Sequence, residues 1–106
     1  MQGLLDLLGG DYSIRYVDES NISAQLTDDI AVLMLTQVNF RSGFKLDMKA
    51  ITEQAQSKGI LTLWDLAHSA GAFPVYLDDC NVDFAVGCTY KYLNGGPGAP
   101  AFVYVA

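Results

Sequence analysis

At 106 residues the chain is enough for about one small domain, yet 51% of it is hydrophobic and only 17% is charged. Its net charge of −6 and its six scattered Lys and Arg residues provide no basic stripe for a phosphate backbone, which argues against nucleic acid as a partner. The longest apolar run, residues 30–38, is broken by Thr36 and Gln37 and falls short of the roughly 18 uncharged residues that a membrane span needs.

Surface dominates in so short a chain, so this apolar balance points to a piece of a larger globular protein whose faces are covered by polypeptide outside this stretch. Residues 2–8 carry Leu4, Leu5, Leu7 and Leu8 and stop at Gly9-Gly10, the pattern of a helix with a glycine end. Residues 13–17 predict a short strand. The polar residues 21–29 predict a turn with a helical fragment. Residues 31–36 form a continuous apolar run, as expected for a strand buried on both faces. Residues 38–44, with Arg41-Ser42-Gly43 inside, predict a loop.

The clearest helix is residues 48–58. Asp47 can accept the unsatisfied N–H groups of its first turn, and Leu46 can pack on Ile51 as a hydrophobic staple. Met48, Ile51 and Ala55 share one face, Lys58 suits the negative C-terminal end, and Gly59 can take the left-handed cap. Residues 60–64 predict the next strand. Strand, helix and strand with short joints make a βαβ unit, hence two parallel strands joined by a right-handed crossover. After Asp65, residues 67–72 are small and tight, 74–77 are extended and 78–81 are a polar break. Residues 83–88 and 100–105 predict two more strands, with Trp64 and Phe84 in the core.

Cys80 and Cys88 lack metal-ligand spacing and His68 is the only histidine, so no metal site is expected; two small buried thiols in a reducing compartment is the plain reading. The first six residues carry no basic leader or cleavage pattern, so a cytoplasmic location is expected.

Chemistry concentrates at the ends of the predicted strands. Lys91 lies between Tyr90 and Tyr92, follows the apolar run 84–88 and precedes Asn94-Gly95-Gly96-Pro97-Gly98. A lone lysine after a strand is ordinarily a solvated surface residue, but here glycines permit close approach of a ligand. The turn lacks the Gly-Lys-Ser/Thr ending of a nucleotide loop. Asp65 ends a buried strand; it can cap the short segment after it, or face a ligand. Open α/β sheets bind ligands beyond the carboxyl ends of their strands, and Thr36, Asp65 and residues 89–91 all fall at such ends. An amine paired with a carboxylate is what a pyridoxal-phosphate enzyme needs: the lysine forms the Schiff base and the aspartate keeps the pyridine nitrogen protonated. His68 is either a satisfied core polar group or a member of the same rim. Tyr90 is either core or a donor to a phosphate oxygen. Asp78-Asp79 fits a solvated turn.

The strings Asp65-Leu66-Ala67-His68-Ser69-Ala70-Gly71 and Asp83-Phe84-Ala85-Val86-Gly87-Cys88-Thr89-Tyr90-Lys91-Tyr92-Leu93-Asn94-Gly95-Gly96-Pro97-Gly98, with Thr36-Gln37-Val38-Asn39-Phe40-Arg41-Ser42-Gly43 upstream, resemble kynureninases. These are fold-type-I, class-V-aminotransferase-like pyridoxal-phosphate enzymes. The Tyr-Lys-Tyr-Leu-Asn-Gly-Gly-Pro-Gly run is specific, since related desulfurases and aminotransferases typically carry a His-Lys pair. The resemblance implies an α/β fold, with residues 1–106 a fragment of the large, mainly parallel-sheet, cofactor-binding domain, incomplete at both ends. It implies that Lys91 is the catalytic, Schiff-base lysine and that Thr36, Asp65, His68, Tyr90 and Lys91 bind pyridoxal 5'-phosphate. It further implies hydrolysis of L-kynurenine, or its 3-hydroxy form, to anthranilate (or 3-hydroxyanthranilate) and L-alanine, by a homodimer with no membrane partner. Phe40 departs from the family, where a tyrosine is common. A phosphate-cradling loop, a ring-stacking aromatic and a carboxylate-binding arginine are expected outside this stretch, so the segment alone is expected to be inactive.

Overall fold

The computed structural model describes all residues, 1–106. Four strands form one sheet in the order β1 (Val32–Thr36), β2 (Leu61–Asp65), β3 (Phe84–Cys88) and β4 (Ala101–Val105). The first three are parallel and β4 returns antiparallel to β3. Helix α1 (Gln2–Leu8) buries no residue, α2 (Ile22–Gln25) is a single turn behind a 3-10 turn, and α3 (Met48–Ser57) crosses from β1 to β2. The α/β class, the mainly parallel sheet and the βαβ unit are as the sequence predicts.

Local chemistry accounts for α3 at both ends. The Asp47 carboxylate accepts the Ala50 N–H at 3.1 Å, closing the first turn. At the other end Lys58 is the cap. Gly59, at φ 72°, turns the chain so that the N–H groups of Gly59 and Ile60 return to the carbonyls of Gln56 and Ala55. A left-handed φ is open to glycine and strained for a side chain, so the reversal into β2 depends on this residue.

Parity along the strands separates two faces. Leu33, Thr62, Trp64 and Ala85 are buried, on the face that α3 covers. Trp64 is 1% exposed and donates its indole N–H to the Thr52 hydroxyl of α3 at 3.1 Å, so its one polar atom is satisfied inside the core. Removing that side chain would cost about 3–5 kcal/mol. Phe102 lies across from Gly87 on the same face, where a Cβ on the glycine would collide with the ring. Asp83 ties the layers together: one carboxylate oxygen accepts the Thr62 N–H at 2.8 Å, the Thr62 hydroxyl at 2.9 Å and the Gln56 amide at 3.3 Å. Burial opposes its ionisation, but these hydrogen bonds outweigh it and hold the carboxyl below the usual range.

The other face is apolar and open. Val32, Met34 and Leu61 are about half exposed, and Val103 and Val105 more so. Residues 31–36 are therefore buried on one face, not both, because no second layer lies over β1. Phe84 and Cys88 sit on this open face and are half-buried, as is Cys80, so neither thiol is deeply buried; both are free. Residues 13–17 are not a strand. Although both outer edges of the sheet are open, they pair with neither: Arg15 donates to Asp29 at 2.8 Å and to Thr27 at 3.0 Å, and these bonds hold the segment against residues 27–29 as irregular chain.

Candidate active site

Because β1, β2 and β3 are parallel, their carboxyl ends lie along one rim. Thr36 closes β1 and Asp65 closes β2, directly paired in register, with Val86 of β3 next to Asp65. The Gln37 N–H bonds to the Asp65 carbonyl at 3.1 Å and the Leu66 N–H to the Val86 carbonyl at 2.8 Å, so the chain stays pinned as it leaves each strand. Asp65 Oδ1 accepts the Ala67 N–H at 2.9 Å, which winds residues 66–72 into tight turns rather than a helix. No hydrogen bond reaches its second oxygen, so the cap reading and a ligand reading are compatible for this one carboxylate.

After β3 the chain enters the glycine-rich turn. The Gly95 N–H bonds to the Thr89 carbonyl at 2.8 Å, the Asn94 N–H to the Lys91 carbonyl at 3.0 Å, and the Thr89 hydroxyl to the Pro100 carbonyl at 2.6 Å. This closed turn fixes the backbone of Lys91. Its side chain donates from Nζ to Cys88 Sγ at 3.5 Å and lies over the Tyr90 ring, 4.7 Å from the centroid. Cys88 is two residues beyond Val86 and shares its face, and Val86 pairs with Asp65. The Lys91 amine thus contacts a side chain on the sheet face to which Asp65 belongs. Tyr90 beside it raises the Lys91 pKa above the usual value, partial burial works against that, and the Cys88 sulfur adds to the rise. Burial lowers a lysine's pKa, so freeing this amine at neutral pH calls for a covering that this chain does not itself provide.

His68 is half-buried on the rim, not sequestered in the core. Its ring stacks on Phe40 at 5.8 Å and meets the edge of Tyr92 at 6.5 Å. The turn that carries it touches the Lys91 loop directly: a Cβ on Gly71, at φ 86°, would sit 2.5 Å from the Tyr92 carbonyl oxygen. Tyr90 is about half exposed and outside the core. Thr36, Asn39, Phe40 and Arg41 border an open groove of about 350 Å³. Asp65, Tyr90 and Lys91 do not line that groove, so Thr36 meets the other candidates through sheet register alone. Two features escape sequence reasoning. Cys88 is the contact of Lys91, signalled only by its place three residues ahead at the strand end. Gln37 Oε1 and Ser69 Oγ, each adjoining a candidate residue in sequence, are buried acceptors without a partner. No group of three His, Cys, Asp or Glu side chains comes together as a metal site would require, and no helix is long and apolar enough to cross a membrane.

Residues 13–104 match the family model Aminotransferase class-V. The chain belongs to this family. Among its relatives is a kynureninase from Deinococcus radiodurans, 56% identical over 105 residues, which covers 99% of this chain and 25% of the relative. The class-V chain therefore spans about a quarter of the length of the curated relatives it matches. Among solved structures, an alanine–glyoxylate aminotransferase from Nostoc superposes with a TM-score of 0.72 at 26% identity, over 85% of this chain and 24% of that one. A ureidoglycine–glyoxylate aminotransferase from Bacillus subtilis gives 0.72 at 22% identity, over 84% and 23%. The fold is that of the fold-type-I aminotransferases.

Proposed function

We propose that this chain is the segment of a kynureninase that carries the cofactor lysine, Lys91, and the pyridine-nitrogen partner, Asp65. The observation that carries the chemistry is the Lys91 amine in contact with Cys88, on the face of the sheet to which Asp65 belongs. The relatives named above support the substrate class. The donor set fits pyridoxal 5'-phosphate: an amine for the aldehyde carbon, a carboxylate with one oxygen free for the ring nitrogen, and hydroxyls for the phosphate. When bound, that group supplies an electrophilic aldehyde and a ring that accepts electron density from the substrate α-carbon.

The residues then have distinct tasks. Lys91 Nζ would be the attachment point for the aldehyde and, as a free amine, the base for the substrate α-proton. The free oxygen of Asp65 would hold a proton on the ring nitrogen, without which the ring would accept electrons poorly. The hydroxyls of Tyr90 and Thr36 would serve the phosphate, and His68, braced by Phe40, would line the cofactor site. The overall reaction consumes one water: the Cβ–Cγ bond of L-kynurenine, or of its 3-hydroxy form, breaks to yield the anthranilate product and L-alanine. The same resemblance supports a cytoplasmic homodimer acting on a small molecule.

A chimaera in which residues 1–106 replace the matching quarter of the Deinococcus radiodurans relative tests this directly. It is expected to release fluorescent anthranilate from kynurenine and, after borohydride reduction with pyridoxal phosphate, to carry a pyridoxyl group on Lys91. A folded chimaera that transfers sulfur or an amino group and releases no anthranilate would refute the kynureninase reading. A pyridoxyl group on another lysine would refute the site.

A further inference from the structure

We propose that Cys88 and Lys91 are an oxidative modification site, at which a peroxide closes a covalent sulfur–nitrogen link between the two side chains. Nζ stands 3.5 Å from Sγ, at the edge of the roughly 3–3.5 Å separation of near-attack geometries. Pairing of β3 with β4 fixes the Cys88 backbone, the hydrogen bonds within residues 89–100 fix that of Lys91, and the flexible lysine stem closes the remaining gap. Both residues are half-exposed in this chain, and neither belongs to its core. Cys80 differs: burial pushes its thiol up, and no amine is in hydrogen-bond contact with it.

The chemistry balances in two steps. The Cys88 thiolate attacks hydrogen peroxide; an S–O bond forms, the O–O bond breaks, hydroxide leaves and sulfur loses two electrons, giving a sulfenic acid. The lone pair of unprotonated Lys91 then attacks that sulfur; an S–N bond forms, the S–O bond breaks, and the amine proton departs with the oxygen as water. One peroxide is consumed and no further oxidant is needed. Nζ is positively charged at neutral pH, so the second step runs faster in alkaline buffer. The consequence rests on the reading of Lys91 as the cofactor lysine: a linked Nζ cannot receive the aldehyde, so oxidation closes the site reversibly.

The test uses the folded chimaera described above, stripped of cofactor, treated with hydrogen peroxide, digested with trypsin and read by mass spectrometry. The expected product joins Cys88 to Lys91, runs uncleaved through Lys91, is lighter by two hydrogen atoms than the same uncleaved sequence without the link, and reverts with dithiothreitol. Cys88→Ser and Lys91→Arg should each abolish the link while Cys80 oxidises as before, and urea should suppress it. Accumulation of sulfinic acid on Cys88 with Lys91 still cleaved, or equal yield in urea, would overturn the proposal. Labelling of Lys91 by pyridoxal phosphate and borohydride should be lost after peroxide and return with thiol. If the untreated chimaera labels elsewhere while the link forms, the link stands and the cofactor assignment of Lys91 falls.

Discussion

Lys91 and Asp65 illustrate what one side chain contributes. Lys91→Arg keeps the positive charge but cannot form an imine, so the borohydride-trapped pyridoxyl group should disappear from this position while the fold, read by circular dichroism, persists. Asp65→Asn retains the hydrogen bond to Ala67 and loses the charge. In the chimaera it should still trap the cofactor, yet turnover should fall by on the order of a hundredfold or more; unchanged turnover would remove Asp65 from the chemistry. Both residues stand out in the sequence as candidates because of their company: an apolar run before each and small residues after. The Cys88 contact was not, since a three-residue spacing across a turn becomes proximity only when the turn closes as it does here through Thr89, Lys91 and Gly95.

Turns and strands respond on a larger scale. Gly71→Ala meets both a left-handed φ and the Tyr92 carbonyl, so it should destabilise the rim by about 1–3 kcal/mol. Amide exchange should show residues 89–98 opening before the strands do. Asp83→Asn removes the charge that three donors share; hydrogen bonds to charged groups contribute about 1.5–3 kcal/mol, reduced here by solvent exposure to about 1–2. The pH dependence follows from its lowered folded pKa. The unfolded group titrates near 3.8, so its contribution is present above that value and is lost as pH falls through the lower folded one. Acid unfolding of Asp83→Asn should lack this component. Helix α3 was legible almost to the residue, because Asp47 and Gly59 are local signals. Residues 13–17 misled, because strand propensity is local and pairing is not: the Arg15 bonds to Thr27 and Asp29 hold the segment off a sheet whose outer edges are open.

The whole molecule is a sheet with one face packed on α3 and the other bare. Val103 is 71% exposed on the bare face, so Val103→Lys should change the stability of this chain by no more than about 0.5 kcal/mol. In the chimaera, where three-quarters of the polypeptide is added, the same change should destabilise by several times as much if that polypeptide covers the face, as buried charge is costly. Thermal melts of the two proteins measure the difference.

Hydrophobic periodicity, the Asp47 and Gly59 caps and the Tyr-Lys-Tyr-Leu-Asn-Gly-Gly-Pro-Gly run determined the βαβ unit, the family resemblance and the candidate residues without any coordinates. These are properties of neighbours along the chain. Only the tertiary structure decided which face of each strand is buried, that His68 stacks on Phe40 and meets the edge of Tyr92, and that Lys91 rests on Cys88. Side-chain parity has period two and leaves both faces equivalent until a helix covers one of them. Contacts between residues far apart in sequence exist only once register and turn closure are set.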